Sequence, residues 1–272
     1  MRPLDLAITL WQRAPQSWRT WLADSPFVGR IVRAMANRAG LKTLGVYRLA
    51  EPLRGVRMLL HWQTQKAYVF GTYEPEVATA IQESITPGCL AIDVGAHIGY
   101  HTLMMARLTG PGGRVIAFEP WPQNFELLCQ NLELNGCANA SAVNQAVMGS
   151  SDRVKIAPGL DGLCSTTSAV HEAGRIEVSS VTLDDFAATL LPGERIGLVK
   201  IDVEGAETDV LHGMTGLLRS HCPKVIVELH GYSHQRENHP ALLALVAAGY
   251  EMKFLGRPGA QAHILAVPGG NH

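Results

Sequence analysis

The sequence predicts an α/β domain in which a mostly parallel sheet is wound with helices, carried behind a basic N-terminal extension. Two patterns and one balance of composition point there. From residue 71 on, apolar runs of four to seven residues alternate with stretches of helical period, the signature of strands linked by crossover helices. Glycines punctuate the ends of these runs, as at Gly95, Gly99, Gly110 and Gly136, where turns need them. Of 272 residues, 47% are apolar and 17% charged, enough for a large packed core and too little charge for general disorder.

The elements follow in order. Residues 1–70 read as short helices and then a strand or two. In DSPFVGRIVRAMANRAG, Asp24 or Ser25 caps, Pro26 suits the first turn, and Phe27, Val28, Ile31, Val32 and Met35 share a face opposite Arg30, Arg33 and Asn37. Residues 71–272 form the main domain. Its strands are Leu90–Val94, Arg114–Phe118, Ser141–Asn144, Gly197–Val203 and Val225–Leu229. Tyr100–Leu108 is the first crossover helix, closed by Gly110-Pro111-Gly112-Gly113. Phe125, Leu128, Cys129 and Leu132 recur at helical spacing in the second, with Gly136 where a left-handed cap belongs. Residues 150–180 break the rhythm and read as a hairpin excursion. Tyr250–Leu255 and His263–Val267, flanking a Gly-Arg-Pro-Gly turn, predict an antiparallel pair that finishes the sheet.

Charge separates the two regions: residues 1–70 hold 11 Lys/Arg against 3 Asp/Glu, and residues 71–272 hold 12 against 21. The basic segment, with Trp11, Trp18 and Trp21, could lie on an anionic membrane surface, though packing on the acidic remainder is the commoner fate. An acidic main domain with only 6% aromatic residues disfavours a nucleic-acid partner, which wants a basic groove with stacking side chains. The five cysteines are odd in number, show no C-x-x-C, and read as reduced core thiols. No apolar run reaches the ~18 residues of a spanning helix, and the opening MRPLDLAITLWQRAP lacks a cleavage site, so the expectation is cytoplasmic, with peripheral membrane contact as the variant. A homo-oligomer is compatible with all of this.

The most informative stretch is LAIDVGAHIGYHT (90–102), a strand running through a glycine-bearing turn into a helix. Gly95 and Gly99 let the backbone approach a ligand, and the helix start offers free N–H groups. Glu119, ending the next strand, can accept from ribose hydroxyls. The spacing Gly95-x-x-x-Gly99 is not the G-x-G-x-x-G of a dinucleotide loop, and Asp93 before it would repel a pyrophosphate. A sulfonium and an ammonium would be attracted, which favours S-adenosylmethionine over a nicotinamide dinucleotide.

Two further clusters carry chemistry. VKIDVEGAE (199–207) brings Lys200, Asp202, Glu204 and Glu207 to a strand's carboxyl end, where wound sheets bind ligands. Asp202 and Glu204 stand out, because a buried strand rarely carries acids without a use for them. Glu207 and Asp209 read equally well as a solvated helix start. VIVELHGYSHQRENH (225–239) adds Glu228, His230, His234 and His239. His230 is the economical base, since an imidazole with pKa ~6.5 suits removal of a hydroxyl proton. A metal held by the histidines fits less well, as their spacing does not place them on one helical face.

Together GTYEPEV (71–77), PGCLAIDVGAHIGYHT (87–102), GRVIAFEPWPQNFELLCQNLELNG (113–136), SVTLDDF (180–186), VKIDVEGAETDVLHGM (199–214) and VIVELHG (225–231) resemble the FkbM-type methyltransferases, over roughly residues 71–268. The resemblance implies the class I Rossmann-like fold with a seven-stranded sheet and a terminal antiparallel strand. It implies methyl transfer from S-adenosylmethionine to an oxygen of a sugar, glycolipid, polyketide or similar acceptor. Asp93, Gly95, Gly99 and Glu119 would hold the cofactor, Thr102 would support the loop, and Asn144 or Gln145 would edge the adenine. His97, near the methionine part, departs from the Asn common in the family. His230 or Glu204 would be the base, Asp202 and Lys200 would orient, and Tyr73, Glu74 and Glu228 would meet the acceptor. Two alternatives stand beside this: a metal-assisted transfer using Asp202, Glu204 and a histidine, and a catalytically silent scaffold at a membrane-bound assembly.

Overall fold

The computed structural model describes residues 44–158, 164–165, 175–190, 193–232, 238–256 and 261–270. The helix expected after Asp24, the three N-terminal tryptophans and His234 lie outside the described residues. The chain divides into two compact units, Met1–Pro75 and Glu76–His272.

In the first unit, strands β1 (Leu44–Arg48) and β2 (Arg57–His61) form an antiparallel ribbon, followed by helix α1 (Trp62–Phe70). Buried Trp62 meets Tyr47 and, edge-on, Phe70, giving this small unit an aromatic centre. Gly71 closes α1 in the left-handed region, where a Cβ would lie 1.8 Å from the Glu51 carbonyl oxygen. Tyr73 packs edge-on against Tyr68. Glu74, also left-handed, precedes helix α2 (Pro75–Ser84).

The second unit holds β3 (Leu90–Val94), α3 (Tyr100–Thr109), β4 (Arg114–Phe118), α4 (Pro122–Leu134) and β5 (Ala140–Val143) in βαβαβ order. Short β6 (Ala146–Val147), then β7 (Arg153–Pro158), β8 (Cys164–Ser165) and β9 (Ile176–Val181) form a separate small sheet. β7 and β9 pair antiparallel, the expected excursion. Then come α5 (Leu183–Ala187), β10 (Ile196–Ile201), α6 (Glu207–His212), α7 (Thr215–His221), β11 (Lys224–Leu229), α8 (Pro240–Ala247), β12 (Tyr250–Leu255) and β13 (Ala262–Pro268).

The main sheet runs β12-β13-β11-β10-β3-β4-β5, seven strands of which only β13 opposes the rest. It has the seven strands, one of them antiparallel, that the resemblance implies. The terminal antiparallel strand is present, slotted between β11 and β12 rather than lying at the edge. One face buries Leu90, Ile92, Val94, Ile116, Val199, Ile201 and Val227 against Val210, Leu211, Leu217, Leu242 and Leu245 of α6, α7 and α8. On the opposite side α3 and α4 contribute buried Leu103, Met104, Met105 and Leu128. Chain order outward from β3 proceeds one way through β4 and β5, then resumes on the other side with β10. The sheet therefore has its switch point between β3 and β10, where wound sheets leave a crevice at the carboxyl ends. The four cysteines whose side chains are described, Cys89, Cys129, Cys137 and Cys222, are free and half-buried, nearer the surface than the core positions expected of them.

Candidate active site

Strand register assembles the site. In the parallel ladder Lys200 of β10 lies directly beside Asp93 of β3. Asp202, two residues further on, shares their face because side chains alternate along a strand. The Asp93 side chain is fully buried; its Oδ2 accepts from the Thr102 hydroxyl of α3 at 2.6 Å, and Lys200 Nζ stands 3.5 Å from Oδ1. The ammonium also donates to Asp202 Oδ2 at 3.2 Å. Lys200 is thus a buried cation shared between the two carboxylates. Oδ1 of Asp93 has no hydrogen-bond partner among the described residues, leaving it acceptor capacity at the loop.

The loop itself is built on left-handed backbone at Gly95, His97 and Gly99. A Cβ on Gly95 would lie 1.8 Å from the Asp202 carbonyl oxygen, so only glycine lets the two strand ends meet here. The N–H groups of Gly95 and Ala96 both donate to the Phe118 carbonyl, fastening the loop to β4. Glu119 follows β4 and accepts from the backbone N–H of His97 at 2.8 Å and of Trp121 at 2.9 Å, one on each oxygen. The Asn124 side chain adds a further hydrogen bond to this carboxylate. Burial pushes the Glu119 carboxyl up to about 7, against those hydrogen bonds. Burial also lowers His97 to about 4, so its imidazole is neutral at pH 7 despite the nearby Asp202 charge.

The residues present fit S-adenosylmethionine on these grounds: a glycine cradle closed to any Cβ, a buried carboxylate with spare acceptor capacity, and a second buried carboxylate at the end of the neighbouring strand. Asn144 and Gln145 are engaged elsewhere in this structure. Asn144 Nδ2 donates to the carbonyls of Glu119 and Pro120 at 2.8 and 3.1 Å, and Gln145 Nε2 to Ser179 Oγ at 3.4 Å. Asn144 therefore braces the segment carrying Glu119. Tyr73 and Glu74 belong to the first unit.

On the other side of the switch point the carboxyl ends of β10 and β11 form an alternating acid and imidazole array. His230 Nδ1 lies 2.5 Å from Glu207 Oε1, its Nε2 lies 3.1 Å from Glu204 Oε2, and Glu228 Oε1 is 3.8 Å away. Burial alone would strip the ring of its proton, yet the carboxylates of Glu204, Glu207 and Glu228 outweigh it and raise His230 to about 11. Against the expectation of His230 as a base near neutral pH, the three acids around the ring favour its charged form, which has no lone pair to offer. Burial opposes ionisation of Asp202, but Lys200, a hydrogen bond with Glu228 and the His230 charge hold it down to about 2. Glu228 moves upward through burial, against a hydrogen bond with His263, and the Asp202 charge adds to the rise. The two acids thus shift in opposite directions.

The structure gives Glu207 and His239 definite places in this array and adds His263, which the sequence analysis did not name. Glu207 is buried and accepts from Gly205 N–H at 2.8 Å as well as from His230, so it is no solvated helix start. His263 lies opposite Glu228 in the antiparallel β11–β13 ladder, with Nε2 3.6 Å from Glu228 and Nδ1 3.5 Å from Glu76. Only the register brings it there, and a single chain carries no signal for that. His239 serves as a cap: Nδ1 accepts from Ala241 N–H and Nε2 donates to the His230 carbonyl, which fixes the ring as neutral with the proton on Nε2. One ligand atom each from Asp202, Glu228 and His230 lie within 4.8 Å of one another. Lys200 and His230 both lie against these acids.

A family model described as the methyltransferase FkbM domain matches residues 93–252. Methyltransferase 1 of Beauveria bassiana is 28% identical over 159 residues, 51% of this chain and 63% of that protein. Hexuronic acid methyltransferase AglP of Haloferax volcanii is 30% identical over 159 residues, 58% of this chain and 62% of that protein. The chain spans about three-fifths of the length of these curated relatives. A solved FkbM methyltransferase from Methylobacillus flagellatus has 18% sequence identity and a TM-score of 0.48, covering 88% of this chain and 60% of that one.

Proposed function

The chain belongs to the FkbM methyltransferase family, and from that premise we propose that it transfers the methyl group of S-adenosylmethionine to a hydroxyl oxygen of a sugar, glycolipid, polyketide or similar acceptor. The observation that carries this reading is the pairing of Asp93 and Glu119 at the ends of adjacent strands around a loop that only glycine can form. S-adenosylmethionine, when bound, supplies a methyl carbon activated by its sulfonium. Glu119 would take the ribose hydroxyls, and Asp93, with Gly95, Gly99 and the His97 backbone, would hold the charged amino-acid end.

The protein's own part in the reaction is alignment and the disposal of one proton. Asp202 is held ionised by Lys200 and orients the acceptor side of the crevice. Glu204, at a left-handed position after β10 and partly exposed, is the carboxylate able to receive the hydroxyl proton. His230 stays charged and fixes Glu204 in place. Glu228 remains a proposed acceptor contact. A metal is not needed in this scheme, and methyl transfer is expected to be unchanged by a chelator.

The test is transfer of labelled methyl from S-adenosylmethionine to a panel of hydroxylated sugars and polyketides, with the product located by NMR. Methyl on an acceptor oxygen is expected. Methyl on carbon or nitrogen would contradict the oxygen assignment, and chelator-sensitive turnover would replace the proton scheme with a metal-assisted one.

A further inference from the structure

The reading of Glu204 as proton acceptor leaves open what holds it, and the answer lies behind the site. Glu207 opens α6 and is almost fully buried. A buried carboxylate persists only with compensating donors. Glu207 has two on one oxygen: the Gly205 N–H at 2.8 Å and His230 Nδ1 at 2.5 Å. The opposite ring nitrogen faces Glu204 Oε2 at 3.1 Å. The ring itself is anchored through its own backbone, because the His230 carbonyl accepts from His239 Nε2 at 3.1 Å. Glu204 and Gly205 both sit in left-handed backbone, and the hydrogen bond from Gly205 to Glu207 closes that turn.

We propose that Glu207 is a positioning residue acting through His230: the line Glu207, His230, Glu204 sets the ring's orientation from the buried side and presents the Glu204 carboxylate at the crevice. Helix start and strand end are thereby joined into one rigid frame. Glu207 touches neither cofactor nor acceptor. Its contribution is to hold the ring through Nδ1, so that Nε2 stands as an ion-pair contact 3.1 Å from Glu204 Oε2 and Glu204 meets an acceptor in a single pose. The inference rests on the methyltransferase reading for the meaning of that pose, while the frame itself can be tested without any acceptor.

The experiment is proton and nitrogen NMR of histidine rings in the full-length protein with adenosylhomocysteine, for the wild type, Glu207→Gln and Glu204→Gln. The wild type is expected to show His230 with both ring nitrogens protonated at slightly alkaline pH, and its Nδ1 proton far downfield of the amide envelope, as a short charge-assisted hydrogen bond demands. Glu207→Gln is expected to lose that downfield resonance, whereas Glu204→Gln keeps it. A wild-type ring that is neutral, a missing downfield resonance, or one that survives Glu207→Gln would overturn the proposal. Should Glu207→Gln fail to fold, the wild-type and Glu204→Gln spectra alone decide. Absence of adenosylhomocysteine binding by calorimetry, with the resonances behaving as described, would instead sink the function reading and leave the frame standing.

Discussion

At the residue scale, the two sides of the crevice respond to different substitutions. Glu119→Gln is expected to weaken adenosylhomocysteine binding, while Glu204→Gln leaves binding near the wild-type value and lowers kcat by about 10²–10⁴-fold, the usual worth of a positioned proton acceptor. Calorimetry and turnover on the same two variants separate these roles. Because Glu119 titrates at about 7 and its ionised form is the better acceptor for ribose hydroxyls, cofactor affinity should rise as pH is raised through neutrality and then level off. Affinity that falls over this range would show that the protonated carboxyl is the binding form. Gly95→Ala forces a Cβ into the Asp202 carbonyl at a left-handed position, and should cost roughly 2–5 kcal/mol, combining αL strain with overpacking. Gly136→Ala is the control: also left-handed, but with open space around it, it should cost only about 1–2 kcal/mol in urea unfolding.

At the element scale, the joint between β3 and α3 is one hydrogen bond from Thr102 to the buried Asp93 carboxylate. Thr102→Val keeps the shape and removes the donor, so a loss of about 1–3 kcal/mol in urea-monitored stability is expected. A neutral result would mean that Lys200 alone compensates Asp93. The strands from Leu90 to Leu229 were readable to within a few residues because their apolar runs are buried on both faces and end in glycine or acid. The loop of Asp93, Gly95 and Gly99 was readable for the same reason, since the chemistry is local in sequence. What escaped was set by register and charge. His263 acquires its neighbour only through antiparallel pairing with β11, and Glu207 becomes a buried partner only once α6 folds toward His230. An unperturbed pKa likewise says nothing of the three acids gathered around His230 from two separate segments.

At the scale of the whole molecule, charge is distributed to suit a cationic ligand. Asp93, Glu119, Asp202 and Glu204 gather at the carboxyl ends of β3, β4 and β10, and Lys200 is already shared between two of these acids. No helix among the described residues is long and apolar enough to cross a membrane. The account's central claim is that this carboxylate-bearing end of the sheet selects an adenosyl amino acid, with its cationic ammonium, over a diphosphate. Calorimetric titration of the full-length protein with adenosylhomocysteine, and separately with a nicotinamide dinucleotide, tests it most directly. Saturable one-to-one binding of the first and none of the second is the expected result. A silent titration with adenosylhomocysteine, or heat from the dinucleotide, would contradict it.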